Sequence, residues 1–97
     1  MLRKFFIWRG VRKLNKANPD WIDEINLDTL NMGDPHDCLL GQLYGFYGYG
    51  LDDLDIGNGM WYGFDVAAGP GSSHTARELT ALWVEKIGQL RSVPEEV

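Results

Sequence analysis

Asp34, His36, Asp37 and Cys38 crowd into five positions, and His74 lies far along the chain. Asp, His and Cys are all metal ligands, and a Cys beside a His is the minimum for thiol nucleophilic chemistry. The spacing supplies neither. There is no C-x-x-C or H-x-x-x-H pair, and His36 and Cys38, two apart, do not share a helix face. The simpler reading is the capped first turn of a helix followed by a buried thiol. Asp53, Asp55, Asn58 and Asp65 suggest a calcium loop, but the template D-x-[DN]-x-[DN]-G-x5-E fails. Counted from Asp53, the twelfth position is Phe64 instead of the bidentate Glu. Gly69 to Thr75 leads into a helix N-terminus, where backbone N–H groups could hold an anion, but the lysine of a phosphate-binding loop is missing. No catalytic residue, no metal and no cofactor is expected, and the chain is not expected to be an enzyme.

Two other groups of residues invite binding. Tyr44, Tyr47, Tyr49, Trp61 and Tyr62 are more aromatic side chains than one small core easily covers. Tyr and Trp favour interfaces because a large apolar ring carries a polar tip. Of these, Tyr44, Tyr47, Trp61 and Tyr62, together with Gln42, are the candidate binding residues. The second group is basic. Arg3, Lys4, Arg9, Arg12, Lys13 and Lys16 give the first 16 residues a charge of +6. The remaining 81 hold three basic residues and all 14 acidic ones, a balance of −11. Arg9, Arg12, Lys13 and Lys16 are the candidate phosphate contacts of a nucleic-acid-binding arm. Against that use, the acidic remainder repels the same polymer.

The elements that would carry these residues are helical. Ile7, Val11 and Leu14 follow a 4,3 spacing over residues 4–16, opposite the four cations. Phe5-Phe6-Ile7-Trp8 would also suit a short strand. Pro19 breaks the chain, and Asp20 can cap a turn through Trp21 and Ile22. Asp34 and Pro35 predict a second helix reaching about Tyr49, with Gly41, Gly45 and Gly48 in one small-residue stripe. Residues 50–74 read as loop, with Gly57-Asn58-Gly59 a turn and Met60 to Val66 a short strand or ordered aromatic loop. Thr75 and Glu78 form a capping box for a last helix with Leu79, Trp83, Ile87 and Leu90 on its buried face, and Pro94 as its stop. The fold class is therefore mainly α: a small helical domain of about three helices with an aromatic loop or short strand. A basic N-terminal segment, residues 1–18, precedes a single acidic helical domain, residues 19–97.

The chain has 97 residues, 44% hydrophobic, with four tryptophans to supply core area. A single cysteine permits no intrachain disulfide. The longest apolar stretch, Cys38 to Leu51, includes four glycines and is shorter than the about 20 residues of a membrane span. The block Phe5 to Trp8 is too short for the apolar region of a secretion signal. A cytoplasmic location is expected.

Four stretches carry a resemblance. Trp21 to Met32 reads W-x(3)-I-N-L-D-T-L-N-M, and Cys38 to Leu51 reads C-L-L-G-Q-L-Y-G-x-Y-x-x-G-L. Y-G-F-D follows at Tyr62 to Asp65, and L-T-A-L-W at Leu79 to Trp83. This resembles a group of small uncharacterised proteins of actinobacteria and their bacteriophages, over roughly residues 21–92, with C-L-L-G-Q-L-Y-G the specific part. The resemblance implies a small intracellular accessory protein, phage-encoded, with Cys38, Gly41, Gln42, Leu43, Tyr44 and Gly45 as its shared centre. It transfers no activity. The leading expectation is a protein-interaction module whose partner is a protein, such as one from a bacterial host. The alternative is a nucleic-acid-associated regulator using the basic segment, and a third reading is a small-molecule binder using the aromatic loop around Trp61.

Overall fold

A computed structural model describes residues 2–65 and 76–92, and the fold is mainly α. Five α-helices and one 3-10 helix follow in order, with no strand among the described residues. Helix α1 spans Leu2–Ala17, so Phe5 to Trp8 are helical. Ile7, Val11 and Leu14 are buried. Gly10 lies on the same side, so close to the 3-10 helix that a Cβ there would collide with the Tyr62 carbonyl. Helix α2, Trp21–Glu24, is a single turn after Pro19, and Asp20 flanks it without a side-chain capping bond.

The expected second helix is divided. Asp34 does cap, but it caps a turn: its carboxylate accepts from the backbone N–H of His36 at 2.7 Å and of Asp37 at 3.1 Å. Those two bonds hold its carboxyl below the usual carboxylate range. Helix α3 begins four residues after the expected start at Pro35 and spans Leu39–Tyr44, with Cys38 Sγ accepting from the Gly41 N–H at 3.3 Å. Gly45 ends it in the left-handed region, at φ +92°. Helix α4, Tyr47–Leu54, restarts after Phe46 and ends at Asp55, also left-handed. The glycines are not one stripe facing a second backbone. Gly41 meets the backbone of Pro35 and His36, Gly45 faces open space, and Gly48 lies under the Phe46 ring. Residues 50–54, expected as loop, are thus the second half of α4.

The Gly57-Asn58-Gly59 turn is present. Asn58 accepts from the Met60 N–H at 3.0 Å and starts the 3-10 helix, Gly59–Tyr62, where a strand was an open choice. Helix α5 spans Ala76–Ser92. Leu79, Trp83 and Ile87 are buried, whereas Leu90 is only half-buried near the helix end. Thr75 of the capping box, the Gly69 to Thr75 loop and Pro94 lie outside the described residues.

The core is organised by Trp21 and Trp83, both fully buried and edge-on at 6.2 Å and 89°. Phe64 stacks on Trp83 at 6.0 Å. Each indole N–H has an acceptor: Trp83 donates to the Gly63 carbonyl at 2.6 Å, and Trp21 to Asn15 Oδ1 at 2.8 Å. Arg91, near the end of α5, donates to the carbonyls of Ile22 and Ile25, which a one-turn helix leaves without partners. Residues 1–18 and 19–97 differ in charge, but Ile7, Val11 and Leu14 belong to the same buried cluster as Trp21, Leu39 and Trp83.

Candidate interaction face

The inward face of α1 fixes what its outward face presents. With Ile7, Val11 and Leu14 anchored, Phe5, Trp8, Arg12 and Lys16 are exposed, and Arg9 and Lys13 are half-buried at the border with the 3-10 helix. That short helix, held by the Asn58 cap and by Gly63 at φ +73° against Ile7, brings Trp61 and Tyr62 alongside. Phe5, Trp8 and Trp61 remain 49%, 46% and 47% exposed.

Rings and cations interleave here. The Arg9 guanidinium lies over the Tyr62 ring at 4.7 Å from its centroid, and Lys13 Nζ at 5.8 Å. Arg12 lies over Trp8 at 5.0 Å. Such contacts contribute about 0.5–1 kcal/mol each at exposed sites. Phe5 stacks on Trp8 at 6.0 Å, Phe6 meets Trp61 edge-on at 5.4 Å, and Tyr62 stacks on Phe64 at 6.2 Å. Trp8, Arg9, Arg12, Lys13, Lys16 and Tyr62 line a shallow groove of about 290 Å³. Among the described residues, no carboxylate pairs with any of these four cations.

The structure therefore brings Trp61 and Tyr62 together with Arg9, Arg12, Lys13 and Lys16, two sets that sequence reasoning held apart. It leaves the other candidates elsewhere. Gln42 is an internal brace: its Oε1 accepts from the Asn26 N–H at 2.7 Å, and its Nε2 donates to the carbonyls of Asn26 and Asp37, both at 3.1 Å. Tyr47 is half-buried and donates to Asp65 Oδ2 at 3.3 Å; burial, then the Asp65 charge, pushes its phenol well up. Tyr44 is half-buried too, its phenol raised first by burial and then by Asp53 and Glu24. Phe5 and Trp8 were not candidates, although with Arg12 they follow a 3,4 spacing on the side of α1 away from Val11.

The Asp34 to Cys38 cluster is tied into the backbone around it. His36 Nδ1 engages the Gly45 carbonyl at 3.1 Å, and burial pushes the Cys38 thiol up, away from the reactive thiolate. Among the described residues, no three His, Cys, Asp or Glu side chains come together as a metal site, and His74 lies outside them. No described helix is long and apolar enough to cross a membrane. Comparison with protein-family models, with curated proteins and with solved structures finds no match to the chain.

Proposed function

We propose that this protein is a small protein-interaction module that binds through the face formed by α1 and the 3-10 helix. The observation that carries the reading is a run of rings in contact, Trp8, Phe5, Phe6 and Trp61, three of them exposed, that meets a row of four cations where Arg12 lies over Trp8, with no described carboxylate paired to those cations. Trp, Tyr, Phe and Arg are the residues enriched where proteins bind proteins, and buried aromatics with arginines dominate the energy of such contacts. The resemblance centred on Cys38 to Gly45 supports a small intracellular accessory protein, phage-encoded, and the partner of the module is then a protein of the bacterial host. The test is a capture from bacterial lysate with the wild-type chain and with a Trp8→Ser/Trp61→Ser variant whose fold is checked by circular dichroism. A partner held by the wild type and lost by the folded variant supports the reading; equal capture overturns it.

Nucleic-acid binding is the second reading, favoured by the same free cations. Single-strand binders combine such cations with rings on which bases stack. Here Tyr62 is engaged by Arg9, Lys13 and Phe64, which leaves that ring less open face for a base, whereas the exposed Phe5, Trp8 and Trp61 are open to a base and to a protein side chain alike. The charge of −11 on residues 17–97 also repels phosphate.

A further inference from the structure

We infer that the partner element this face takes is an acidic amphipathic helix, laid along α1 with its carboxylates on the cation stripe and its apolar residues on Phe5, Trp8 and Trp61. The inference rests on the interaction-module reading and names the chemistry of its partner.

Three observations lead to it. First, Arg9, Arg12, Lys13 and Lys16 stand at i, i+3, i+4 and i+7 on one helix, a stripe about 10 Å long from the rise of 1.5 Å per residue. Carboxylates at the same spacing on a second helix match that stripe turn for turn, as recurs where an amphipathic helix is read by anchors at i, i+3, i+4 and i+7. Second, the guanidinium groups are placed over rings before any partner arrives. A cation held by a ring loses less freedom on binding, and the guanidinium fork suits a carboxylate. Third, the apolar rings Phe5 and Trp8 lie toward the N-terminal end of the stripe, linked through Phe6 to Trp61. The partner helix must therefore carry its apolar residues beside or ahead of its acidic ones. Close to the stripe, the +6 charge of the first 16 residues selects against a basic helix and attracts an acidic one, while the −11 of residues 17–97 opposes any polyanion alike, so the match of spacing and rings, not net charge, singles out the helix.

The experiment measures fluorescence anisotropy of a labelled helix-forming peptide of about 18 residues, long enough to hold a helix. The peptide has Glu at i, i+3, i+4 and i+7 and a Leu stripe, and is titrated with the full chain. Parallel titrations use the same composition with a central proline, a short oligothymidylate and phosphatidylserine vesicles. Arg12 and Lys16 are exposed, so the fold of Arg12→Gln and Lys16→Gln should survive, as circular dichroism would verify. The expected result is binding of the helical peptide, weakened about ten-fold by Arg12→Gln and again by Lys16→Gln, with salt weakening it throughout. Equal binding of the proline-broken peptide overturns the helical partner. Tighter binding of oligothymidylate or of vesicles overturns the acidic-helix partner in favour of phosphate polymers or an anionic membrane. If no peptide binds while lysate capture still depends on Trp8 and Trp61, this inference falls and the module stands; if capture is independent of both rings, the module itself falls.

Discussion

Gln42 shows how one side chain joins two segments that local rules cannot connect. Its amide reads the backbone of Asn26 as both donor and acceptor and ties α3 to the turn before it through Asp37. Removing it breaks three exposed hydrogen bonds, although the Asp37 carbonyl keeps the one from the Asn31 N–H, so Gln42→Ala should lower stability by about 0.5–1.5 kcal/mol in urea denaturation. Binding through the α1 face should be unchanged once the variant is folded. Unchanged stability with lost binding would return Gln42 to the role its sequence position suggested. The three bonds could not be read from the sequence, because Asn26 lies 16 residues away and the contact exists only after α3 has folded back. The same holds for Arg91, whose carbonyl partners lie 66 and 69 residues away in the chain.

At the scale of elements, glycines decide where helices stop and how closely they approach. Gly88 in α5 faces open space, so Gly88→Ala should stabilise by about 0.5–1 kcal/mol through helix propensity alone. Gly10 is also inside a helix, yet Gly10→Ala should destabilise, because the added methyl would strike the Tyr62 carbonyl. Gly45→Ala should destabilise as well, although nothing is near it, since its φ of +92° is strained for any L side chain. Thermal melts of the three variants, with one change up and two down, check the packing of α1 on the 3-10 helix and the break between α3 and α4 together. Propensity ranks the three sites alike; only their surroundings separate them.

For the whole molecule, the question is what holds a basic helix to an acidic body. The carboxylates are numerous, but none described pairs with Arg9, Arg12, Lys13 or Lys16, while Ile7, Val11 and Leu14 are buried. Apolar burial anchors α1. Ile7→Asp or Val11→Asp should therefore cost several times more stability than Arg12→Gln and Lys16→Gln combined, which, as exposed charges, should shift it by about 0–1 kcal/mol. Comparison of midpoints in denaturant checks this, and a larger loss from the charge changes would mean that the ion pairing between the two regions had been underestimated.

The helical class, the buried faces of α1 and α5, the turn at Asn58 and the concentration of positive charge in the first 16 residues follow from the sequence by itself. The helical faces are written in neighbours three or four apart, the turn in three consecutive residues and the charge in composition, all of them local. The tertiary structure alone decided that the helix expected from Pro35 breaks at Gly45 and that Gln42 is a brace. It alone placed Trp61 and Tyr62 beside the cations of α1. Those outcomes rest on contacts beyond helical spacing, from Tyr47 N–H on the Pro35 carbonyl and Gln42 on Asn26 to Arg9 over Tyr62, and such contacts are selected by how the whole apolar surface closes, which no local spacing records.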